Sequence, residues 1–330
     1  MHHTTEAAFD TGQREFSSAF ARDVFIGLTS SPKWLSSKYF YNSIGDRIFQ
    51  QIMKMPSYYL TNCEFEIFTN RADDILKTIG DEQPFRIIEL GAGDGYKTSL
   101  LLEHFLKKGV DFTYAPCDIS LNVLKILEKK LLGRMPTLQL QLLHGDYFNM
   151  LSEILNKNDG VKNIVFLLGA NIGNFTFDRG IQFLQRVRSQ LCEGDNMMIG
   201  FDLKKDPSVI LGAYNDPEGI TASFNLNLLH RINEELGADF DTDKFIHQPY
   251  YDPETGECRS YLVSKQQQQV KIDDIDSGIH IAASESIFME ISKKYSLEEI
   301  ADLAVKSQFS TKATLMDQRG YFAELIWEAI

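Results

Sequence analysis

The chain has 330 residues, of which 43% are hydrophobic and 24% are charged, and this composition is ordinary for a globular protein. Its formal net charge of −13 argues against a nucleic-acid partner, because an acidic surface repels the phosphate backbone. No apolar run reaches the roughly 18 residues that span a bilayer, and the N-terminus lacks the apolar core of a signal peptide. We therefore expect a monomer that acts on a small molecule, without a membrane partner.

The four cysteines are widely spaced and form no CxxC pair; they are Cys63, Cys117, Cys192 and Cys258. Such spacing is typical of reduced, structural cysteines rather than of a disulfide framework or a zinc site. The sequence therefore predicts a cytosolic protein without a metal.

Residues 14–60 are rich in aromatic residues and have helical periodicity, and they end at MPSYYLT. From residue 86 to residue 203, short apolar runs alternate with helical patterns. Strands are predicted for RIIEL, FTYAPCDI, LQLQLLHGD, NIVFLLGAN and NMMIGFDL. Helices are predicted for SLNVLKILEKKLLGRM and RGIQFLQRVRSQL, where apolar residues recur every three or four positions. This alternation predicts an α/β fold, a Rossmann-like parallel sheet with helices on both faces.

The segment 214–285 has a different pattern. A helix is predicted for ITASFNLNLLHRINEEL, followed by a hairpin in YYDPETGECRSYLVSKQQQQVKI, where the QQQQ run at 266–269 is interpreted as a solvated strand edge. The C-terminal STKATLMDQRGYFAELIWEAI predicts two strands around a turn at 317–320 that return to the sheet. We therefore expect a sheet domain of 61–212 plus 287–330, with an inserted α+β cap domain of 14–60 plus 213–286.

A glycine-rich loop comes directly after the first predicted strand in RIIELGAGDGYKTSL. A phosphate-binding P-loop needs glycine directly before its Lys-Thr pair, but Tyr96 occupies that position. The same tyrosine stands where a dinucleotide fingerprint has its third glycine. The spacing is instead ExGxGxG, and it resembles the first motif of class I S-adenosylmethionine (AdoMet) methyltransferases. Its residues are Glu89, Gly91, Gly93 and Gly95.

Two later strand ends favour the same cofactor. Asp118 ends FTYAPCDI and is placed to accept both ribose hydroxyls, since an ionised carboxylate only accepts hydrogen bonds. Asp146 ends the next strand, where methyltransferases of this class bind the adenine amino group, and Tyr147 can pack on the ring. Either aspartate is also a common turn or helix cap. Lys97 is a candidate for the methionine carboxylate of AdoMet, or a solvated lysine of the first helical turn.

The segment after the fourth predicted strand constrains the acceptor. Methyltransferases that act on nucleic-acid bases have an Asn/Asp-Pro-Pro-aromatic motif there, whereas this chain has LLGANIGNFT without proline. The metal-dependent catechol type needs clustered carboxylates, which the sequence does not show. Both observations argue for a different small-molecule acceptor.

Several longer segments together resemble one family, the histidine-specific Nα-methyltransferases of ergothioneine biosynthesis. The segments are PKWLSSKYFYNSIGDRIFQQIMKMPSYYLT, LGAGDGYKT, LGANIGNFT, DLKKD…AYND…GITASFN and FMEISKKY. The similarity covers nearly the whole chain, including the predicted cap. It implies a methyltransferase sheet with an inserted cap, AdoMet as methyl donor, and trimethylation of the α-amino group of L-histidine to its betaine.

The resemblance also implies roles for individual residues. It assigns the substrate carboxylate to Asn174 and Tyr214, both neutral hydrogen-bond donors. It brings Tyr41 and Tyr58 near the amine and the carboxylate, where a phenol can accept a proton or hydrogen-bond the amine. Without the resemblance, Asn174 would be interpreted as a turn residue and the tyrosines as packing residues. In the Tyr-Tyr pair at 58–59, the spacing to Tyr41 favours Tyr58.

By the same resemblance, Glu290 and Ser292 of MEIS bind the imidazole. Residues two apart on a strand face the same side, so a carboxylate and a hydroxyl can meet both ring nitrogens. A carboxylate that accepts the ring N–H fixes the tautomer. Thr221 and Phe224 match further positions of the substrate pocket.

The chain departs from the family pattern at two positions. Ser260 stands where the family often has methionine, and Asn171 replaces a usual small hydroxyl residue. A related branch methylates the α-amine of a prenylated tryptophan, so an indolic or other amino acid is an alternative acceptor. Glu290 with Ser292 favours imidazole instead. A non-catalytic protein that binds AdoMet or an amino acid is the alternative outside enzymes.

Overall fold

The computed structural model of the protein describes residues 15–80, 82–155 and 160–330, so Arg14 of the predicted cap lies outside the described residues. The chain folds as two compact units, each assembled from separate segments. The first unit contains the described residues up to Tyr58 together with Pro207–Asp252 and Cys258–Ile291. The second unit contains Tyr59–Asp206, Pro253–Glu257 and Ser292–Ile330.

The α-helices of the described chain are α1 (Ala19–Thr29), α2 (Ser43–Ile52), α3 (Tyr59–Asn70), α4 (Ala72–Ile79), α5 (Thr98–Lys107), α6 (Leu121–Arg134), α7 (Tyr147–Leu155), α8 (Phe177–Arg188), α9 (Pro207–Tyr214), α10 (Ile220–Leu236) and α11 (Leu297–Lys306). Short 3₁₀ helices lie at Ser37–Tyr39, Asn171–Asn174, Thr242–Lys244 and Asp273–Ile275.

The strands are β1 (Lys33–Trp34), β2 (Phe85–Leu90), β3 (Phe112–Asp118), β4 (Gln139–Leu140), β5 (Leu143–His144), β6 (Lys162–Leu167), β7 (Asn196–Asp202), β8 (Phe245–Asp252), β9 (Glu257–Ser264), β10 (Gln268–Ile272), β11 (Ser277–Ile281), β12 (Ser286–Lys293), β13 (Phe309–Met316) and β14 (Phe322–Ala329).

The second unit is built on an eight-stranded sheet with the order β13-β14-β7-β6-β2-β3-β4, in which β5 also pairs with β3. The strands from β7 to β4 are parallel, and β14 runs antiparallel to both β7 and β13. Every residue of β2 and β7 is buried, as expected for central strands covered on both faces. Burying each large apolar side chain contributes roughly 1.5–3 kcal/mol to folding. The predicted Rossmann-like sheet and its returning C-terminal strands are confirmed.

The first unit contains a four-stranded sheet with the order β1-β12-β9-β8 and a separate β10-β11 pair. Buried residues alternate with less buried ones along β9 and β12, so one face of each strand packs against the core and the other does not. Aromatic and aliphatic residues of α1, α2 and α10 form that core together with the strands.

The structure corrects two sequence-based expectations about local structure. LQLQLLHGD forms two strands of two residues each, β4 and β5, which pair with different parts of β3. The QQQQ run is not wholly solvated, because Gln268 begins β10, is buried, and donates to Ser264 Oγ at 2.6 Å. An amide that can hydrogen-bond inside the protein is compatible with burial, although composition alone suggests exposure.

The boundaries of the two units differ by a few residues from the predicted domain boundaries. The chain enters the first unit again at Pro207, so all of α9 belongs there, and most of β12 belongs to that unit too. Both α9 and β12 belong to the unit that contains the elements they pack against or pair with. The predicted boundaries differ because they were based on changes in composition along the chain.

None of the described helices combines the length and apolar character needed to cross a membrane. None of the four cysteines, all of which lie in the described residues, forms a disulfide bond, and Cys192 is exposed whereas the others are buried. A cytosolic location stays a prediction.

The start of α11 has a capping box that gives a testable stability effect. Ser296 Oγ accepts from the Glu299 amide at 3.2 Å, and Glu299 accepts from the Ser296 amide at 2.8 Å. We expect Ser296→Ala to lower the free energy of unfolding by about 1 kcal/mol, seen as a lower urea midpoint with an unchanged slope. Thr176→Ala is the control, because Thr176 precedes α8 without a capping side-chain bond. An equal loss in both variants would contradict this prediction.

Candidate active site

The loop after β2 needs glycine for two different reasons. Gly91, Gly93 and Gly95 have φ values of +74°, +53° and +60°, in the left-handed region that favours glycine. A Cβ at Gly91 would lie 2.6 Å from Tyr147 Oη, and one at Gly95 would collide with Leu127 Cδ1. A Cβ at Gly93 would meet no protein atom within 4 Å. The loop is therefore closely packed at its two ends and open at its middle.

Glu89 directly precedes this loop and is almost completely buried. Its carboxylate accepts hydrogen bonds from Thr98 Oγ1 at 2.8 Å and from the Tyr114 hydroxyl. Burial raises the pKa of Glu89 to about 7, although the two hydrogen bonds oppose this effect. The carboxylate thus ties β2 to the start of α5 and to β3. Direct contact of Glu89 with a cofactor stays a prediction.

Lys97 is bound to a buried carboxylate that the sequence did not reveal. Its ammonium forms an ion pair with Glu64 of α3, whose side chain is completely buried. The other oxygen of Glu64 accepts from the Gly169 amide at 2.6 Å. Burial lowers the pKa of Lys97 to about 8, opposed by the carboxylate of Glu324. Lys97 is therefore not a solvated lysine, and Glu64 links the loop after β2 to the loop after β6.

Asp118 and Asp146 both make the local bonds of turn residues. Asp118 ends β3 and accepts from the Ser120 amide at 2.8 Å, while burial raises its pKa. Asp146 is exposed, and its Oδ1 accepts from the Phe148 amide at 3.0 Å at the start of α7. An ionised carboxylate has about four acceptor positions, so these bonds leave room for ligand hydroxyl or amino groups. Ligand roles for Asp118, Asp146 and Tyr147 stay predictions.

Asn174 lies in the second unit, like the glycine loop, and ends the 3₁₀ helix after β6. Its side chain is exposed, and Asn171 at the other end of the helix is half-buried. The helix packs closely on the end of β12, because a Cβ at Gly173 would lie 2.8 Å from the Lys293 carbonyl oxygen. Since β2 and β6 are parallel neighbours, the glycine loop and Asn174 follow the same edge of the sheet.

Four predicted site residues of the first unit lie in or beside one aromatic cluster: Tyr41, Tyr58, Thr221 and Phe224. The rings of Tyr41 and Phe224 lie 5.6 Å apart, and both contact Phe49 with centroid distances of 5.7 Å. Tyr58 joins this cluster through Phe49 at 6.5 Å. Phe224 is buried whereas Tyr41 is 48% exposed, so the tyrosine forms the outer part of the cluster. Thr221, one turn before Phe224 on α10, is also buried.

Tyr58 and Tyr59 have different surroundings. Tyr59 is buried in the second unit, where its hydroxyl lies 2.9 Å from Asp202 Oδ2. Tyr58 is half-buried and belongs to the aromatic cluster of the first unit. Tyr214, the last residue of α9, is mostly buried in the first unit. The substrate roles of Tyr58 and Tyr214 stay predictions.

Glu290 and Ser292 share one face of β12. Both are half-buried, and they alternate with the buried Ile291 and Lys293 on the opposite face. Ser292 Oγ accepts from Lys294 Nζ at 2.7 Å. The sequence predicted roles for Glu290 and Ser292 but none for Lys294. No pattern in the sequence marks this lysine as buried, because charge alone predicts exposure.

Comparison with known proteins identifies the family. The family described as "Histidine-specific methyltransferase, SAM-dependent" matches residues 20–329. The histidine N-alpha-methyltransferase of Mycolicibacterium smegmatis is 33% identical over 287 residues, which are 87% of this chain and 88% of that protein. The chain belongs to the histidine-specific, SAM-dependent methyltransferase family.

Two further relatives agree with this membership. The histidine N-alpha-methyltransferase of Mycobacterium tuberculosis is 32% identical over 287 residues, again 87% of this chain and 88% of that protein. Ergothioneine biosynthesis protein 1 of Schizosaccharomyces pombe is 29% identical over 298 residues, 87% of this chain but 38% of that longer protein. The predicted family is thereby confirmed, as are the Rossmann-like class I fold and the AdoMet-dependent N-methyltransferase class.

The residues of this methyltransferase fit AdoMet. The open position at Gly93 leaves room at the middle of the glycine loop, and a cationic Lys97 lies just after the loop. Acceptor-only carboxylates end or follow the two neighbouring strands β3 and β5. This set offers backbone amides, a cation and acceptors, which suit a ligand with a carboxylate, ribose hydroxyls and an adenine amino group.

A glycine pair tests whether the open position receives the cofactor. Gly93→Ala and Gly109→Ala each replace a glycine of positive φ beside open space, so both should lose roughly 1–2 kcal/mol of stability from backbone strain. We expect only Gly93→Ala to weaken AdoMet binding in addition, by at least tenfold (~1.4 kcal/mol) in calorimetry. Equal AdoMet affinities in the two variants would contradict a cofactor at Gly93.

Glu89 predicts a pH effect on stability. Because its folded pKa of about 7 lies above the ordinary 4.5, the folded state holds the proton more tightly than the unfolded state. Its favourable contribution is therefore complete below pH 4.5 and is lost as pH rises to about 7. We expect the difference in unfolding free energy between wild type and Glu89→Gln to fall by up to about 3 kcal/mol across this window. Parallel pH curves for the two proteins would refute the buried titration.

Proposed function

We propose that this enzyme transfers methyl groups from AdoMet to the α-amino nitrogen of L-histidine, three in succession, to give the trimethylated betaine. The named activity of relatives that match most of the chain supports this proposal. The observation that carries it is the shared face of Glu290 and Ser292 on β12, which offers one acceptor and one hydroxyl to a ring with two nitrogens.

The reaction requires a neutral amine. Bound AdoMet supplies an electrophilic methyl group on a sulfonium. An α-amino group is largely protonated at neutral pH, and an ammonium has no lone pair with which to attack. The protein must therefore hold the substrate with its amine unprotonated and in line with the carbon–sulfur bond. Positioning of this kind can supply much of the reduction in the barrier.

For the donor, the proposal uses the loops at the edge of the parallel sheet. Backbone amides around Gly91, Gly93 and Gly95 approach AdoMet closely, and Lys97 binds its methionine carboxylate. Asp118 accepts from the ribose hydroxyls. Further along the chain, the proposed adenine contacts are a hydrogen bond to Asp146 and packing on Tyr147.

For the acceptor, the proposal uses neutral donors and aromatic rings. Asn174 and Tyr214 donate to the substrate carboxylate, which leaves the amine as the reactive group. Tyr41 and Tyr58 are the proposed catalytic residues, because a phenol oxygen can accept a hydrogen bond from the neutral amine and so orient its lone pair. Buried Thr221 and Phe224 shape the pocket.

For the ring, the proposal assigns the two polar residues of one strand face. The Glu290 carboxyl group accepts the N–H of one imidazole nitrogen, and Ser292 hydrogen-bonds the other. An indole has a single N–H and a larger ring, so it cannot use both groups.

The substrate is tested by incubating the purified enzyme with labelled AdoMet and each amino acid in turn. We expect transfer to histidine, with a product mass that has gained three methyl groups in place of hydrogens. Transfer to an indolic amino acid but not to histidine would overturn the acceptor. Calorimetric binding of AdoMet and histidine without any turnover would indicate a regulatory protein instead.

Glu290→Ala tests ring recognition separately. We expect kcat/KM for histidine to fall roughly 10- to 100-fold, because a hydrogen bond to a charged group contributes about 1.5–3 kcal/mol. Glu234→Ala, which removes an exposed carboxylate from α10, is the control and should leave this value unchanged. If the two variants have the same kcat/KM for histidine, Glu290 does not bind the imidazole ring.

A further inference from the structure

Glu324, in the middle of β14, is a fully buried acid in the second unit. It is 0% exposed, and neither of its carboxyl oxygens has a hydrogen-bond partner among the described residues. It pairs across the sheet with Gly200 of β7, where a Cβ would lie 2.9 Å from Glu324 Oε1. The carboxyl group is therefore closely packed, yet it lacks the hydrogen bonds that a buried ionised carboxylate requires.

Glu324 shares one face of the sheet with Glu89 of β2. The residues on either side of each acid belong to one hydrophobic cluster of the second unit, so both acids point to the opposite face. The start of α5 lies on that face, because Thr98 binds Glu89, and the ammonium of Lys97 interacts with the Glu324 carboxyl group. Glu64 of α3, which is completely buried, forms an ion pair with the same ammonium.

Three buried carboxyl groups therefore lie around one ammonium group. Ionisation of all three would leave a net negative charge in a site removed from water, at a large cost in free energy. Burial raises the pKa of Glu324 well above its ordinary value, the ammonium of Lys97 opposes this effect, and the carboxylate of Glu89 adds to it. The arrangement favours an ionised Glu64 paired with Lys97 and a neutral Glu324.

Other titratable groups belong to the elements packed around this face. They are Tyr59 and Cys63 of α3, Tyr114 of β3 and Asp202 of β7. Tyr114 hydrogen-bonds Glu89, and Asp202 is paired with Lys205. Burial raises the pKa of Cys63 to about 12, so its thiol is neutral. The charge next to Glu324 is consequently dominated by Lys97 and its ion pair.

We propose that Glu324 is a positioning residue for the methyl donor: as a neutral acid it leaves the ammonium of Lys97 able to bind the donor's carboxylate as well as Glu64. An ammonium has three hydrogens, so it can bind two carboxylates at once. The Lys97 side chain is 21% exposed, so a ligand can approach it. An ionised Glu324 would instead add a second anion at Lys97 and repel a third. This inference rests on the proposed function, in which Lys97 binds the methionine carboxylate of AdoMet.

The proposal makes binding of the donor depend on one proton. A ligand carboxylate at Lys97 raises the pKa of Glu324, because two like charges in one site oppose ionisation. By linkage, the protonated enzyme binds that ligand more tightly. We expect S-adenosylhomocysteine to raise the apparent pKa of Glu324 by roughly one unit, which corresponds to about tenfold tighter binding to the protonated form. 5′-Methylthioadenosine, which has no carboxylate, should not raise it.

Infrared spectroscopy measures this proton through the carbonyl band of a protonated carboxyl group. We expect such a band in wild type at about pH 8, above the pKa of ordinary carboxyl groups. The band should be absent from Glu324→Gln but present in Glu89→Gln. Glu328→Gln is the matched control and should also keep the band, because Glu328 lies on the same strand, is partly exposed and pairs with Lys312.

The comparison of ligands needs wild type alone, so it does not depend on folding of a variant. With rising pH, the band should persist to a higher pH with S-adenosylhomocysteine than with 5′-methylthioadenosine. A band that is missing at about pH 8, or that responds to pH identically with both ligands, would overturn the role of Glu324.

Calorimetry tests the effect on binding. Glutamine is a neutral isostere of protonated glutamate, so Glu324→Gln should keep nearly the wild-type affinity for S-adenosylhomocysteine at neutral pH. Lys97→Met should weaken that affinity at least tenfold, while leaving binding of 5′-methylthioadenosine nearly unchanged. A tenfold loss in Glu324→Gln would show that the ionised form is needed and would overturn the proposal. If Lys97→Met binds S-adenosylhomocysteine like wild type, or wild type does not bind it, the proposed donor site itself fails.

Discussion

The buried carboxylate of Asp202 joins three separate parts of the second unit at the end of β7. It contacts Tyr59 at the start of α3, Lys205 shortly after β7, and Lys294 just after β12. Ion pairs of this kind do not necessarily stabilise a fold, because each charge loses its hydration. Removal of one member, however, leaves an uncompensated charge, so the whole group must be present together. Lys294 directly follows β12, so its ion pair with Asp202 connects the end of that strand to the end of β7.

A second buried carboxylate has a comparable role at the glycine loop. Glu64 binds the ammonium of Lys97 and the amide of Gly169, which belong to the loops after β2 and β6. Glu89 similarly connects β2, β3 and α5. These acids lie in α3 and β2 rather than in the loops, and their bonds connect the loops to those elements. Preorganised groups of this kind are required by a reaction that is governed by positioning.

In the first unit, the candidate site residues Tyr41, Tyr58 and Phe224 are held by aromatic packing. Phe224 is buried against Phe40 and Phe49, so the rings of Tyr41 and Tyr58 rest on a rigid aromatic base. Aromatic pairs at these separations contribute about 0.5–1.5 kcal/mol beyond their burial. This packing limits rotation of the two phenol rings. Their hydroxyl groups can still form the hydrogen bonds to the substrate amine that the proposed function requires.

The sequence by itself determined the features that depend on neighbouring residues along the chain. Alternating apolar runs and helical patterns predicted the parallel sheet, and Tyr96 in place of a glycine separated the loop from a phosphate-binding one. The spacing of Glu290 and Ser292 placed both on one strand face. Only the tertiary structure decided the partners of buried charges. Glu64, Asp202 and Lys294 resemble solvent-exposed residues in sequence, because charge alone predicts exposure. Their burial depends on partners that lie far away along the chain and are brought together by folding.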